Sequence, residues 1–282
     1  LDGGDDFAAD AVAGDGGDLV FAHEFLGKES GKRKRSELMR VCHLPRGRRV
    51  KLRFAVRAAV NILALESSTE LCSVALWRDG RIDARDASEG QRNSEVLLPM
   101  VDALLAQAAL RPTDLDGVAF GAGPGAFTGL RVACGVAQGI ALGTGVPVAA
   151  VVTLEAMAEA AQAPRVVCCL DARMGEIYHA AYERDGERWR EAAPPSLCKP
   201  AQAPLLEGAG WTGCGSGFAA FGEVLTAAYG AQLATVRAEV APHARAIAAL
   251  AARAFARGEA VAAEAAAPLY VRNKVALKVN ER

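Results

Sequence analysis

Two stretches of this chain share one plan, a hundred residues apart. "AVNILALESSTELCSVALWRDG" (59–80) and "RVVCCLDARMGEIYHAAYERDG" (165–186) each run from an apolar strand to one acid, a short polar turn, a second strand and a closing Asp-Gly. Glu66 precedes Asp79 by thirteen positions and Asp171 precedes Asp185 by fourteen. Solenoid repeats recur at much shorter periods, so this spacing points to a duplicated α/β domain. The expected division is an N-terminal subdomain over 59–160 and a C-terminal one over 161–282.

Between the two hairpins the pattern alternates strand and helix. "RIDARDASE" continues the first hairpin as a third strand. Leu97, Val101, Leu104, Leu105 and Ala108 fall at helical spacing and predict a helix over about 94–109. "LDGVAFGAG" reads as a strand, Thr128 as the cap of a helix reaching about Leu142, "VPVAAVV" as a strand, and Thr153 as the cap of a further helix. An Ala-rich segment over 242–263 predicts another helix, ended by Gly258.

Residues 1–58 are of a different character. Eight acids against one lysine in residues 1–30 give way to eleven Lys and Arg against one Glu in 31–57. Low complexity and charge runs of this kind bury too little apolar surface to order themselves, and an extension disordered over 1–58 is expected. Excluding it leaves 20 basic and 24 acidic residues, a poor balance for a stand-alone nucleic-acid binder. The seven cysteines form no CxxC and sit mostly in apolar runs, as reduced core thiols of a cytoplasmic protein do. No apolar run reaches eighteen residues without Gly or charge, so no membrane span is expected.

Chemistry has few candidates. His23, His43, His179 and His243 form no ligand pair, and no Ser lies in G-x-S-x-G, so neither a metal nor a nucleophilic catalytic residue is assigned. Glu66, Ser68, Thr69 and Asp171 could instead hold Mg²⁺ and phosphates in a cleft between the hairpins, or serve as turn residues. The loop "GAGPGAFTGLR" (121–131) has no Gly-Lys-Ser/Thr and no acid about twenty residues on. It is either a backbone anion site at a helix N-terminus or an elbow for close strand–helix packing. "WTGCGSGF" (211–218) leaves the same choice open. The helix after the 121–131 loop has Gly135, Gly139 and Gly143 along one side, so another helix, the sheet or a second subunit must approach it closely.

In order, "NILALESSTELCSVALWRDG", "LLPMVDALL", "GAGPGAFTGLRVACGVAQGIALG", "TLEAMA", "LDARMGEIYHAAYERDG" and "PLYVRNKVALK" resemble the bacterial TsaB (YeaZ) family from about Ile62 to Lys278. The resemblance implies the duplicated actin-like, Hsp70-like, sugar-kinase-like (ASKHA) fold. It further implies a noncatalytic partner in making N6-threonylcarbamoyladenosine next to the tRNA anticodon. The chain would pair with a catalytic TsaD-type paralogue, help recruit a TsaE-type ATPase, reach tRNA through the complex and form homodimers when alone. ATP and the divalent metal would belong to those partners, with no cofactor of its own. Family members pair through their first two helices, which places Leu97, Met100, Val101, Leu104, Val132, Val136 and Ile140 at or near the contact. Glu66, Ser68, Thr69, Gly123, Gly125, Thr128, Asp171, Gly213 and Gly215 would then line a vestigial nucleotide cleft. Glu66 departs from the family's usual Asp. An independent ASKHA ATPase or phosphotransferase using Glu66 and Asp171 is the alternative.

Overall fold

The apolar run Asn61–Glu66 is buried at every position, as a strand covered on both faces must be. It is the middle strand of a sheet in the structure, a computed structural model that describes residues 36–43, 49–56, 60–87 and 92–272. The chain divides into two units, Leu1–Val60 and Asn61–Arg282. In the first, β1 (Ser36–His43) and β2 (Arg49–Val56) pair antiparallel with Ser36 opposite Val56. These two stretches of the supposed disordered extension are therefore paired strands. Val50, Leu52, Phe54 and Val56 alternate with Arg49, Lys51 and Arg53, a period of two that the charge count conceals. Residues 1–35, 44–48 and 57–59 lie outside the described residues.

The second unit holds two five-stranded sheets built alike. In the first, β3 (Asn61–Glu66), β4 (Ser73–Arg78) and β5 (Arg81–Asp86) form an antiparallel meander. β6 (Gly117–Gly123) and β7 (Val148–Val152) extend it in parallel, giving the order β5-β4-β3-β6-β7. The second sheet repeats this with β8 (Arg165–Asp171), β9 (Ile177–Asp185), β10 (Arg188–Cys198), β11 (Trp211–Cys214) and β12 (Leu233–Arg237), in the order β10-β9-β8-β11-β12. The hairpins recognised as a repeat are β3–β4 and β8–β9, so Glu66 and Asp171 end equivalent strands.

Helices α1 (Asn93–Gln107) and α2 (Phe127–Thr144) cover one face of the first sheet, where Leu65, Leu76, Leu97, Leu104, Phe120, Ala133 and Ala137 form the core. Helix α3 (Thr153–Ala161) and helix α4 (Ser216–Tyr229) lie on opposite faces of the second sheet. Neither expected threonine cap forms. Helix α2 starts at Phe127 with Ala126 at its N-cap and no side-chain cap, so Thr128 falls inside the first turn. Thr153 is the first residue of α3, and its hydroxyl accepts from the Gly123 amide at 3.0 Å, tying α3 to the end of β6.

Helix α5 (Ala244–Ala256) departs from the expected division at residue 160. It packs on β3, β4, β6 and β7 of the first sheet, and the Ala244 amide donates to Ser73 Oγ at 2.9 Å. Ala263 and Ala266 join the same core, and Gln138 Nε2 donates to both of their carbonyls. Residues 244–266 thus complete the first lobe.

His179 on β9 is wholly buried, neither ring nitrogen has a partner among the described residues, and the ring stacks 6.5 Å from Tyr229. Burial depresses its pKa to about 4 from the usual 6.5. Its stabilising contribution is present above pH 6.5 and is lost as pH falls through 4, an expected loss of about 3 kcal/mol. Because buried carboxyls elsewhere titrate over the same range, the measure is the difference between parent and His179→Phe in urea unfolding, which should change by about 3 kcal/mol between pH 7.5 and pH 4.

Candidate functional site

The glycine loop after β6 is clamped against the turn that follows β3. The Ala126 amide donates to the Ser68 carbonyl at 2.6 Å, and Ser67 Oγ donates to the Gly129 carbonyl at 2.8 Å. A Cβ at Gly125 would stand 2.5 Å from Ser68 O, and one at Gly129 would fall within the van der Waals shell of Ser67 O. Gly123 has φ +116°, a conformation L side chains rarely adopt, and faces the Leu269 carbonyl. These glycines permit backbone-to-backbone contact, which makes the loop an elbow.

Glu66 does not reach the cleft beyond that elbow. It is fully buried, and the Ser68 amide donates to its Oε1 at 2.5 Å while Oε2 has no partner among the described residues. Oε2 occupies the space that a side chain at Gly121 would need. Burial pushes the carboxyl up to about 7, against the lowering effect of hydrogen bonds from Ser68 and Ser67. Asp171 does line the cleft, but Arg173 engages it through its amide at 2.8 Å and its guanidinium at 3.3 Å. The same guanidinium reaches Glu70 across the lobes at 3.0 Å. The two acids read as a possible metal pair therefore share no surface, because the longer Glu66 side chain folds under β6.

The cleft has a volume of about 670 Å³ and lies between the two hairpin turns, the N-terminal ends of α2 and α4, and residues 269–272. Of the expected lining, Ser68, Thr69, Gly125 and Asp171 are present. Glu66, Gly123, Thr128, Gly213 and Gly215 are not. Gly213 makes room for the Phe218 ring, and Gly215, at φ +100°, abuts the Cys169 carbonyl and Met157, so both are packing positions. The structure adds Phe127, Arg173, Ser216, Tyr270 and Arg272 to the lining. Ser216 Oγ accepts from the Asp171 amide at 3.1 Å, and Arg272 pairs with Glu176 at 2.8 Å. Arg131 stacks 3.8 Å over the Phe127 ring and donates to the Tyr270 hydroxyl at 3.0 Å. Tyr270 and Arg272 come from the C-terminal run "PLYVRNKVALK". Lys274 and Lys278, from the same run, lie outside the described residues. No group of three or more His, Cys, Asp or Glu suited to a metal occurs among the described residues.

Beside the elbow, α1 and α2 present an outer surface. Leu97, Val101 and Leu104 do not belong to it: at 0–2% exposure they face their own sheet, which corrects their expected place at a contact. Helical periodicity marks the face that buries, and here the chain's own sheet buries it. Met100, Val132, Val136 and Ile140 are half-buried along its margin. Leu98 and Leu142, 51% and 57% exposed, are apolar and off that period. Gly135, Gly139 and Gly143 are bare, since a Cβ at any of them would meet nothing within 4 Å among the described residues.

Over 233 residues the chain is 37% identical to the Escherichia coli tRNA threonylcarbamoyladenosine biosynthesis protein TsaB, a match covering 78% of this chain and 97% of that one. The chain belongs to the TsaB family. A Haemophilus influenzae protein of the same description is 41% identical over 156 residues, covering 51% of this chain and 66% of its own. The crystal structure described as YeaZ from Pseudomonas aeruginosa is 38% identical, with a TM-score of 0.70 over 75% of this chain and 99% of that one. A second structure from that organism, described as an uncharacterized protein with similarity to peptidase YEAZ, has the same identity and TM-score. Residues 88–278 also match the family model described as TsaD, tRNA N6-adenosine threonylcarbamoyltransferase. With two sheets of one strand order, this TsaB family member has the duplicated actin-like ASKHA fold. No described helix is long and apolar enough to cross a membrane.

Proposed function

We propose that this TsaB family member is the noncatalytic partner subunit of a tRNA adenosine N6-threonylcarbamoyltransferase complex, acting in the formation of threonylcarbamoyladenosine next to the anticodon. Its α1–α2 face pairs with a TsaD-type catalytic paralogue, and the pair recruits a TsaE-type ATPase. ATP and the divalent metal reside in those partners, tRNA is reached through the complex, and the assembly works in the cytoplasm. Alone, the chain forms a homodimer through the same face. The observation that carries the reading is the bare glycine side of α2. Each interior helical glycine costs about 1 kcal/mol relative to alanine, and nothing among the described residues occupies the space so created. A second chain lying close against α2 accounts for it. Names of the relatives support the pathway, and the buried Glu66 speaks against an independent phosphotransferase.

Gly139→Ala separates the two roles of that surface. In the isolated chain it should raise stability by about 1 kcal/mol, seen as a higher urea midpoint. Gly139→Arg should leave the fold intact and abolish co-elution with the TsaD-type partner; retained co-elution would refute the interface. The function itself is tested by reconstituting tRNA modification with TsaC, TsaD and TsaE, with and without this chain. Threonylcarbamoyladenosine read by mass spectrometry should form only when it is present, and equal product without it would overturn the proposal.

A further inference from the structure

A second charged pocket lies away from both the cleft and the pairing face. Glu155 and Glu159 stand one turn apart on α3. Glu159 is fully engaged: Arg253 of α5 donates to it, Arg184 donates at 2.6 Å and the Trp189 indole N–H at 2.8 Å. Glu155 has no hydrogen-bond donor and no ion-pair partner among the described residues. Arg257, four residues after Arg253, is placed to serve it as Arg253 serves Glu159. Glu259 holds that guanidinium instead, through two bonds of 2.6 and 2.7 Å.

In front of Glu155 lies a cavity of about 180 Å³ with Val151 and Leu250 as its apolar floor, Trp189 in its wall, and Arg188, Arg253 and Arg257 at its edges, where Glu187 and Glu259 also stand. That is roughly six water volumes, room for a planar guanidinium and part of an aliphatic stem. We infer that this pocket binds an external guanidinium group, with Glu155 acting toward it as Glu159 acts toward Arg253. The ligand is an arginine side chain of another protein or a free guanidino compound, which share the head group. A planar fork of donors suits a carboxylate better than the point charge of an ammonium. Burial pushes the Glu155 carboxyl up to about 7, against the lowering effect of the Arg257 and Arg253 charges, neither of which is bonded to it.

The test follows the Trp189 indole N–H by NMR in the full chain at pH 8, titrating methylguanidinium or Nα-acetyl-arginine methylamide. A saturable shift is expected. Glu155→Gln, a neutral isostere, should weaken binding about tenfold or more, the equivalent of one charge-assisted hydrogen bond. Glu259→Gln should weaken it too, by freeing Arg257 to close on Glu155. Tighter binding of the arginine amide would identify a protein side chain as the ligand, and equal binding a free guanidino compound. No saturable shift in the parent, or undiminished binding in either variant, would overturn the assignment.

Discussion

Replacing Gly129 by alanine should destabilise the protein by about 3 kcal/mol or more, although the position lies in the first turn of a helix that alanine favours. The added methyl would enter the space of the Ser67 carbonyl oxygen, with Ser68 Cα close behind. Those are backbone atoms at the end of a buried strand, and Ser67 Oγ already fastens that turn to Gly129 O at 2.8 Å. Relief requires α2 to move off the sheet, which would loosen the contacts of Leu130, Ala133 and Ala137 with the core. A fall in the urea midpoint at unchanged slope would be the signature. Ten residues further on, Gly139→Ala should act in the opposite direction. A substitution at Gly129 as mild as one at Gly139 would mean that the elbow is not a close-packed element.

The second large effect concerns Glu66. Its carboxyl ionises near 7 in the folded protein against 4.5 as the reference value, so the folded state holds its proton more tightly. Stability attributable to this group is greatest below pH 4.5 and falls as pH rises toward 7, by about 3 kcal/mol in total. Glu66→Gln should therefore gain about that amount at pH 8 and little at pH 4, measured by urea unfolding at the two values. Glu155 shares the direction and His179 opposes it, so the parent, with two such acids against one histidine, should gain stability as pH falls from 6.5 to 4.5. In the variant Glu155 and His179 offset each other, and the profile over that range should be shallow. An unchanged difference between parent and variant across that range would mean that Glu66 is not buried with an unpaired oxygen.

The repeat was legible because alternation, a single acid and a closing Asp-Gly survive in both hairpins without any knowledge of packing. What followed from burial partners was not. Leu97, Val101 and Leu104 announce an apolar helix face, but sequence spacing does not distinguish the chain's own sheet from a neighbour's surface. Leu98 and Leu142 break that period, and that mismatch is the signal that marks an outer face. An acid at a strand end reads the same whether it points into a cleft or folds beneath the next strand; Gly121 opposite Glu66 was the clue to the second. Nor does an Ala-rich helix indicate which of two sheets receives it. Nothing local marked Tyr270 and Arg272, because their partners, Arg131 and Glu176, lie 139 and 96 positions away.

The return of α5 to the first sheet bears on how the chain is made. Ser73 waits for Ala244, 171 residues later, before one face of its sheet is covered. The first lobe emerging from a ribosome thus has two helices on one side and bare strands on the other. High contact order of this kind slows folding, and the exposed strands are prone to aggregate until synthesis ends. The duplicated architecture is closed by a chain crossing, so residues 59–160 alone lack the helix that covers one face of their sheet.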